Sequence, residues 1–260
     1  MPFGCLKDPV VSPTMGTTMD RLDPLLVLSA YAVGVFPMAD DREADQCYWV
    51  EPKRRAILPL DGFHLSRSLR KVIAQDRFRV TADTAFERTI RLCAESAEDR
   101  PETWISHPIE QVFLDLHQRG LAHSVECWLD DQLVGGLYGL ALGRAFFGES
   151  MVSRVTDASK VALAWLVARL RVGGFTLLDC QFQTAHLATM GAVEIDRSDY
   201  MALLGAALGD GAASSPADSS GSAAGGGDFA ALDRLAGAAS VSVAGPVSGK
   251  DIVQLLTHTS

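Results

Sequence analysis

Residues 135–181 read GGLYGLALGRAFFGESMVSRVTDASKVALAWLVARLRVGGFTLLDCQ, and the elements predicted in this segment indicate the fold class. The alternating run 132–142 is interrupted by glycines, a pattern typical of a strand that bends or bulges near a ligand. A second apolar run, 145–151, ends in the carboxyl group of Glu149, the hydroxyl of Ser150 and one methionine. Both runs are predicted strands.

A long helix and a buried strand follow. Asp157 is the predicted N-cap of a helix that continues to Leu170 and ends at Gly173-Gly174. Residues 175–178 then form a predicted buried strand. Its carboxyl end carries three polar side chains, Asp179, Cys180 and Gln181. Polar groups at strand ends are how a mixed α/β domain builds a site.

Further elements are predicted on both sides of this segment. Helices are expected at 23–33, 66–75, 84–94, 108–119, 184–190 and 197–208. Strands are expected at 77–81, 123–129 and 193–195, with short strands between 48 and 59. Asp130-Asp131 is a predicted hairpin turn. The order of elements predicts an α+β fold with a mixed, mainly antiparallel sheet.

The composition is that of a globular protein, with 260 residues of which 48% are hydrophobic and 21% are charged. No apolar run is long enough to span a membrane, and the first residues do not resemble a signal peptide. The five cysteines are scattered and contain no CxxC pair. We therefore expect a cytoplasmic protein with reduced thiols. We also expect a monomer, since no surplus apolar face remains.

The charge distribution bears on nucleic-acid binding. A net charge of −9 argues against a large nucleic-acid surface. Basic residues nevertheless cluster in one segment, namely Lys53, Arg54, Arg55, Arg67, Arg70, Lys71, Arg77 and Arg79. Such a patch is able to hold the end of a nucleic acid locally. The alternative is an ordinary solvated helix face.

Neither a metal nor a cofactor is expected. His107, His117 and His123 are dispersed, without the spacing of a zinc site. No Gly-rich phosphate loop is present. From residue 209 onward the composition turns to Gly, Ala and Ser, which predicts a flexible tail, 209–260, with possible short helices at 229–235 and 250–257.

An ordered set of motifs resembles the bacterial leucyl/phenylalanyl-tRNA–protein transferases over about residues 22–205. The motifs are YAVGVFP (31–37), WVEPKRRAIL (49–58), FHLSRSLRK (63–71), TWIS (103–106), HSVECW (123–128), GGLYG (135–139), FFGESMVSR (146–154), ASK (158–160), LLDCQ (177–181) and HLATMGAVEI (186–195). The resemblance implies a small N-terminal domain, 1–61, and a GNAT-like acyltransferase domain, 62–208. Such a domain separates two central strands to form a cleft.

The resemblance also implies an activity. Leucine or phenylalanine, and in some cases methionine, would pass from aminoacyl-tRNA to the α-amine of proteins that begin with Arg or Lys, which marks them for proteolysis. Two other functions stay open from the sequence. One is an acetyl-CoA-dependent N-acetyltransferase, which the missing phosphate loop disfavours. The other is a non-catalytic module that recognises N-terminal residues.

Asp179 and Gln181 are the predicted catalytic residues. They lie two apart on a strand, so their side chains emerge on the same face. The resemblance implies that Gln181 steers the amine proton and that Asp179 polarises Gln181. Glu149 would add negative charge suited to a basic acceptor, unless it forms a salt bridge with Arg154. Ser150 is a candidate contact to ligand or backbone.

The other candidates are apolar or aromatic. Leu137, Phe146, Phe147 and Leu178 are candidates for the pocket of the donor side chain, with plain core as the alternative. Tyr31 and Trp49 are candidates for stacking on the 3′-adenosine, and Met38 is a candidate for packing against its base. Trp104 is a candidate for lining the cleft, with a core tryptophan as the alternative. Met38 stands where most relatives have tryptophan, which removes one stacking surface.

Overall fold

The structure is a computed structural model that describes residues 22–95, 103–209, 226–239 and 247–257. The helices in these ranges are α1 (Pro24–Ala32), α2 (Arg67–Ala74), α3 (Phe86–Ala94), α4 (His107–Gln118), α5 (Ala158–Val172), α6 (Ala185–Ala188), α7 (Arg197–Leu208), α8 (Ala231–Ala239) and α9 (Gly249–Thr257). The strands are β1 (Phe36–Met38), β2 (Tyr48–Val50), β3 (Arg54–Ile57), β4 (Arg79–Ala82), β5 (Ala122–Leu129), β6 (Gln132–Leu142), β7 (Ala145–Ser153), β8 (Leu177–Gln181) and β9 (Val193–Asp196). Within the described ranges we find no helix with the length and hydropathy of a membrane span.

A seven-stranded sheet forms the centre of the molecule, in the order β4-β5-β6-β7-β8-β3-β9. Its neighbouring strands are antiparallel, with the exception of the parallel pair β7–β8. The predicted fold class, a mixed and mainly antiparallel sheet with helices, is confirmed. The predicted hairpin turn is also present, since Asp130 and Asp131 both have positive φ, at 49° and 61°.

The parallel pair β7–β8 is short. Its register runs from Ala145 opposite Leu177 to Phe147 opposite Asp179. Beyond this point β7 continues to Ser153 without pairing to β8, which ends at Gln181. The two central strands therefore open next to Glu149 and Gln181.

Helix α5 crosses one face of the sheet and is buried on nearly every side. Asp157 precedes it as predicted, but it adopts a left-handed φ of 73° and its side chain makes no capping hydrogen bond. The predicted N-cap position is confirmed, but the side chain of Asp157 does not cap the helix. Asp157 instead lies 3.4 Å from the ammonium of Lys160. The helix ends at Gly173-Gly174, as expected.

Alternation along the strands divides the apolar residues between two cores. The α5 core contains Phe146 and Leu178 and lies on the α5 face of the sheet. The opposite core contains Phe147 and Leu177 together with side chains of α1, α3 and α4. Side chains of adjacent residues on a strand point to opposite faces, so each strand contributes to both cores.

The N-terminal part is not separate from the central sheet. β1 and β2 form a two-stranded sheet of their own. β3, which lies on the N-terminal side of the predicted boundary at residue 61, is instead inserted between β8 and β9. The domain division stays a prediction, but Arg54–Ile57 belong to the central sheet.

The described parts of the C-terminal tail pack on the α5 face. Helices α8 and α9 occur where short helices were predicted, and their side chains Leu232, Ile252 and Leu256 are buried in the α5 core. Phe229 stacks on Phe146, with ring centroids 5.8 Å apart. These parts belong to the core and do not form a flexible tail. Of the Gly/Ala/Ser-rich linker predicted at 209–228, residues 210–225 lie outside the described residues.

Candidate active site

Asp179 lies in the centre of the candidate site, fully buried on β8. Arg55 of β3 donates to its carboxylate through Nε, at 2.9 Å and 3.0 Å, and through Nη2, at 2.6 Å. The pairing of the strands explains this contact. β3 is antiparallel to β8 and sets Ile57 opposite Asp179, and Arg55 lies two residues before Ile57 on the same strand. Burial alone would lower the pKa of Arg55, but the carboxylate of Asp179 outweighs it and the pKa is raised.

Two further donors complete the hydrogen bonds of Asp179. The hydroxyl of Tyr200, on α7, donates to Oδ2 at 2.8 Å. Burial, followed by the charge of Asp179, raises the pKa of Tyr200, so this hydroxyl keeps its proton. The backbone N–H of Gln181 donates to Oδ1 at 2.7 Å. Asp179 is therefore fully engaged as an acceptor, and its charge is balanced by Arg55.

Gln181 ends β8 in a left-handed conformation, with φ of 62°. A non-glycine residue in this region is uncommon and is held there by its surroundings. Here the bond from its N–H to Asp179 supports the turn. Its carboxamide Nε2 donates to Oε1 of Glu149 at 3.0 Å. We expected the side chain of Asp179 to pair with this carboxamide, but Asp179 bonds the backbone of Gln181 and Glu149 bonds the carboxamide.

Glu149 is the second carboxyl group of the site. Burial, opposed in part by hydrogen bonding and reinforced by Asp179, raises its pKa to about 8. Its Oε2 is buried and has no hydrogen-bond partner among the described residues. The hydroxyl of Tyr31 faces Glu149 without a hydrogen bond of ordinary geometry, and burial followed by the charge of Glu149 raises the pKa of this tyrosine. Glu149 thus keeps one unsatisfied oxygen inside the site.

The adenosine candidates lie on the same side of the sheet as Glu149. Tyr31 packs edge-on against Phe147, with centroids 5.0 Å apart. Met38, Trp49 and Trp104 are half-buried and pack against this core. The structure therefore groups these four candidates by the core that they share.

The donor-pocket candidates are placed differently. Leu137, Phe146 and Leu178 belong to the α5 core and are at most 3% exposed. They lie on the opposite face from Asp179, because they are out of phase with it along the strands. Phe147 pairs with Asp179 in the register and shares its face. Ser150 is half-buried on β7, opposite Tyr138 of β6.

The salt bridge considered for Glu149 is absent, since Arg154 pairs with Glu95. The basic segment is also divided. Arg55 is buried, Arg54 pairs with Glu194 and Asp196, and Arg79 pairs with Asp131. Exposed cations remain at Lys53, Arg67, Arg70, Lys71 and Arg77. Among the described residues, no group of three His, Cys, Asp or Glu side chains is placed to hold a metal ion.

Two residues of the site were not among the sequence candidates for it. Arg55 belongs to the predicted basic patch, and no motif of the sequence singles out Tyr200. An arginine inside the apolar run RAIL is a weak signal of a buried ion pair. The sequence gives no sign of the partner, which lies 124 residues away.

Comparison with known proteins places this geometry in context. The family model "Leucyl/phenylalanyl-tRNA protein transferase" matches residues 57–205, and the model of that family's N-terminal domain matches residues 20–53. A leucyl/phenylalanyl-tRNA–protein transferase of Rhizorhabdus wittichii is 59% identical over 93% of this chain and 100% of its own. One from Zymomonas mobilis is 66% identical over 73% of this chain and 70% of its own.

One solved structure, L-PGS from Bacillus licheniformis, also matches. It is 12% identical and covers 59% of this chain and 51% of its own, with a TM-score of 0.37. A likeness this weak carries no argument about the site.

Proposed function

This chain belongs to the leucyl/phenylalanyl-tRNA–protein transferase family, and we propose that the site around Gln181 carries out its reaction. The chain is an aminoacyltransferase that uses aminoacyl-tRNA and protein substrates. The proposal concerns which residues act, which aminoacyl groups are donated and which proteins accept them. The single observation that carries it is the buried hydrogen bond between Gln181 and Glu149, next to the opening between β7 and β8.

The chemistry asks for little more than positioning and proton transfer. The α-amine nitrogen of the acceptor attacks the ester carbonyl carbon of the aminoacyl-tRNA. A C–N bond forms, the bond from the carbonyl carbon to the ribose 3′-oxygen breaks, and a proton moves from the amine to that oxygen. Holding both substrates in one cleft accounts for most of the acceleration.

We assign proton handling to the pair of Glu149 and Gln181. A carboxamide is too weak a base to act alone, whereas Glu149 has a pKa of about 8. A protein α-amine titrates near pH 8, so a proton passes between the two groups with little free-energy difference. The unsatisfied Oε2 of Glu149 is the atom available to accept it. Gln181 fixes the other oxygen of Glu149 and orients the amine.

Asp179 has a different role in this proposal. It is fully buried and accepts hydrogen bonds from four donor atoms, so it acts on the reaction through the backbone of Gln181. Arg55 and Tyr200 position Asp179 in turn.

Selection of acceptors with N-terminal Arg or Lys then rests on Glu149 alone. The charge of Asp179 is balanced by Arg55, whereas no salt bridge among the described residues includes Glu149. In its ionised form, before it accepts a proton, Glu149 would favour a basic first residue.

The two parts of the donor have separate proposed contacts. Tyr31, Met38, Trp49 and Trp104 would surround the 3′-adenosine, supported by their common core. The exposed cations of α2 would contact tRNA phosphates. Leu137, Phe146 and Leu178 stay proposed contacts of the leucyl or phenylalanyl group. Because they are almost fully buried, such contact requires the core under α5 to open.

A direct assay tests the proposal. Purified protein is incubated with radiolabelled leucyl-tRNA or phenylalanyl-tRNA and a peptide that begins with Arg, and matched peptides begin with Asp or carry an acetylated N-terminus. Label should appear in the Arg peptide alone. Binding of the peptide without transfer would favour a recognition module. Acetylation of the peptide from acetyl-CoA would favour an N-acetyltransferase. Neither the family match nor the relatives support that function.

A further inference from the structure

Helix α2 has two distinct faces. Leu69 and Ile73 are buried on one face. The opposite face carries Arg67, Arg70 and Lys71, which are all exposed. Among the described residues, none of these three cations has a carboxylate within 4.0 Å. α2 therefore presents unpaired positive charge to the solvent.

A helix of eight residues is too short to be stable alone, so packing must hold α2 in place. That packing comes mainly from α9, and α5 contributes less. Ile252 and Leu256 of α9 are buried in the same core as Leu69 and Ile73. Without α9, the apolar face of α2 would lose its contacts with Ile252 and Leu256 of this core.

Close contacts at the start of α9 fix its distance from α2 and from Asp76, which follows α2. The N–H of Gly249, at the start of α9, donates to Oδ1 of Asp76 at 2.6 Å. A Cβ atom at Gly249 would lie 1.9 Å from the carbonyl oxygen of Ile73. Only glycine permits this approach. At the other end of α9, Arg171 donates to the carbonyl of Leu255 at 3.0 Å and to that of Leu60 at 2.9 Å.

We propose that α9 positions α2 for binding the phosphate backbone of tRNA. The inference rests on the proposed function, because it assigns the cations of α2 to tRNA. It also gives a role to a segment outside the family match, which ends at residue 205. The tail then contributes to donor affinity without touching the donor.

Two aminoacyl donor substrates distinguish the positioning of α2 by α9 from a general loss of stability. Leucyl-tRNA carries the phosphate backbone, whereas 3′-O-leucyl-adenosine carries only the reacting end. Gly249→Ala and Ile252→Ala should raise KM for leucyl-tRNA by about threefold or more. They should leave kcat/KM for leucyl-adenosine unchanged. The slope of log KM against log salt concentration should fall by about one for leucyl-tRNA.

Matched controls exist in the same chain. Gly205→Ala is the control for the glycine, since a Cβ there meets no atom within 4 Å. Leu232→Ala, in α8 against α5, is the control for a lost buried aliphatic side chain. Arg70→Gln combined with Lys71→Gln should reproduce the effect of the α9 variants. Circular dichroism and Tm establish whether each variant folds. If Ile252→Ala does not fold, the kinetics of Gly249→Ala alone test the role of α9.

The possible outcomes are distinct. If the α9 variants behave as their controls do, or if they slow transfer from both donors equally, α9 has no such role. If Arg70→Gln with Lys71→Gln leaves KM for leucyl-tRNA unchanged, α2 does not bind tRNA and the inference fails. If the unmodified chain transfers leucine from neither donor, the proposed function itself fails.

Discussion

The guanidinium of Arg55 and the carboxylate of Asp179 form a fully buried ion pair, with Nη2 and Oδ2 2.6 Å apart. Two aromatic rings enclose the guanidinium, those of Phe36 at 4.5 Å and Tyr200 at 4.7 Å. The pair joins β3 to β8 where Gln181 turns away from the strand. Its removal should therefore affect both stability and the geometry of the site.

Arg55→Ala should lower the free energy of unfolding by about 3–5 kcal/mol, because it leaves a buried carboxylate without a counter-ion. Urea denaturation at neutral pH measures this change. The neighbouring Arg54→Ala is the control. Arg54 pairs with Glu194 on the surface, where such a pair contributes at most about 1 kcal/mol. Equal effects of the two variants would contradict the assignment of Arg55 as the anchor of Asp179.

Glu149 should make the stability of the protein depend on pH. Its pKa is raised from 4.5 to about 8 in the folded state. Between these two values the folded state holds a proton that the unfolded chain has lost. The contribution of Glu149 to stability is therefore complete below pH 4.5, and it falls by up to about 1.4 kcal/mol per pH unit until the pH passes 8.

Glu149→Gln should remove this slope, since an amide does not titrate. Relative to the unmodified protein, the variant should gain stability as the pH rises from 5 to 8, by about 3 kcal/mol as an order of magnitude. Denaturant unfolding across that range provides the measurement. Glu43→Gln, at an exposed position, should follow the unmodified protein throughout. If the stability of Glu149→Gln depended on pH as that of the unmodified protein does, the carboxyl group of Glu149 would not be buried and neutral.

Gln181→Gly should separate the carboxamide from the backbone turn. Glycine adopts the φ of 62° without strain, so the fold should be retained. Loss of the carboxamide should lower kcat by about 100-fold or more, the usual range for groups that assist proton transfer. Gln183→Ala is a suitable control, because its Nε2 donates to the carbonyl of Ala192. If Gln181→Gly kept a third of the activity, the carboxamide would have no part in the chemistry.

The fold was largely predictable from local patterns, whereas the pairing inside the site was not. Asp23 was predicted as the start of α1, and its side chain caps Leu25. Local periodicity also located α4 and α7 to within a residue or two. The partner of Asp179 was missed because ion pairs between distant strands depend on sheet order. β3 enters the sheet between β8 and β9, and no local pattern indicates this insertion.

The same reason explains the donor-pocket candidates. Phe146 and Phe147 are adjacent, and the motif alone does not say which one faces Asp179. The parallel register of β7 with β8 decides it, since Phe147 pairs with Asp179 and Phe146 with Leu178. Alternation fixes the relative phase of side chains within a strand, but the phase between strands needs the tertiary structure.

Met38→Trp should strengthen donor binding if Met38 contacts the 3′-adenosine. Met38 lies at the end of β1, half-buried opposite Tyr48, and packs against the core that contains Tyr31. An indole ring offers a base a larger stacking surface, and stacking contributes about 1–3 kcal/mol per base. KM for aminoacyl-tRNA should therefore fall by about tenfold, with kcat unchanged.

Steady-state kinetics with leucyl-adenosine as a second donor should give the same ratio, because the effect concerns the terminal base. Met38→Leu, which conserves volume without adding a ring, should leave KM unchanged. A tryptophan variant with the KM of the leucine variant would place the base elsewhere in the cleft.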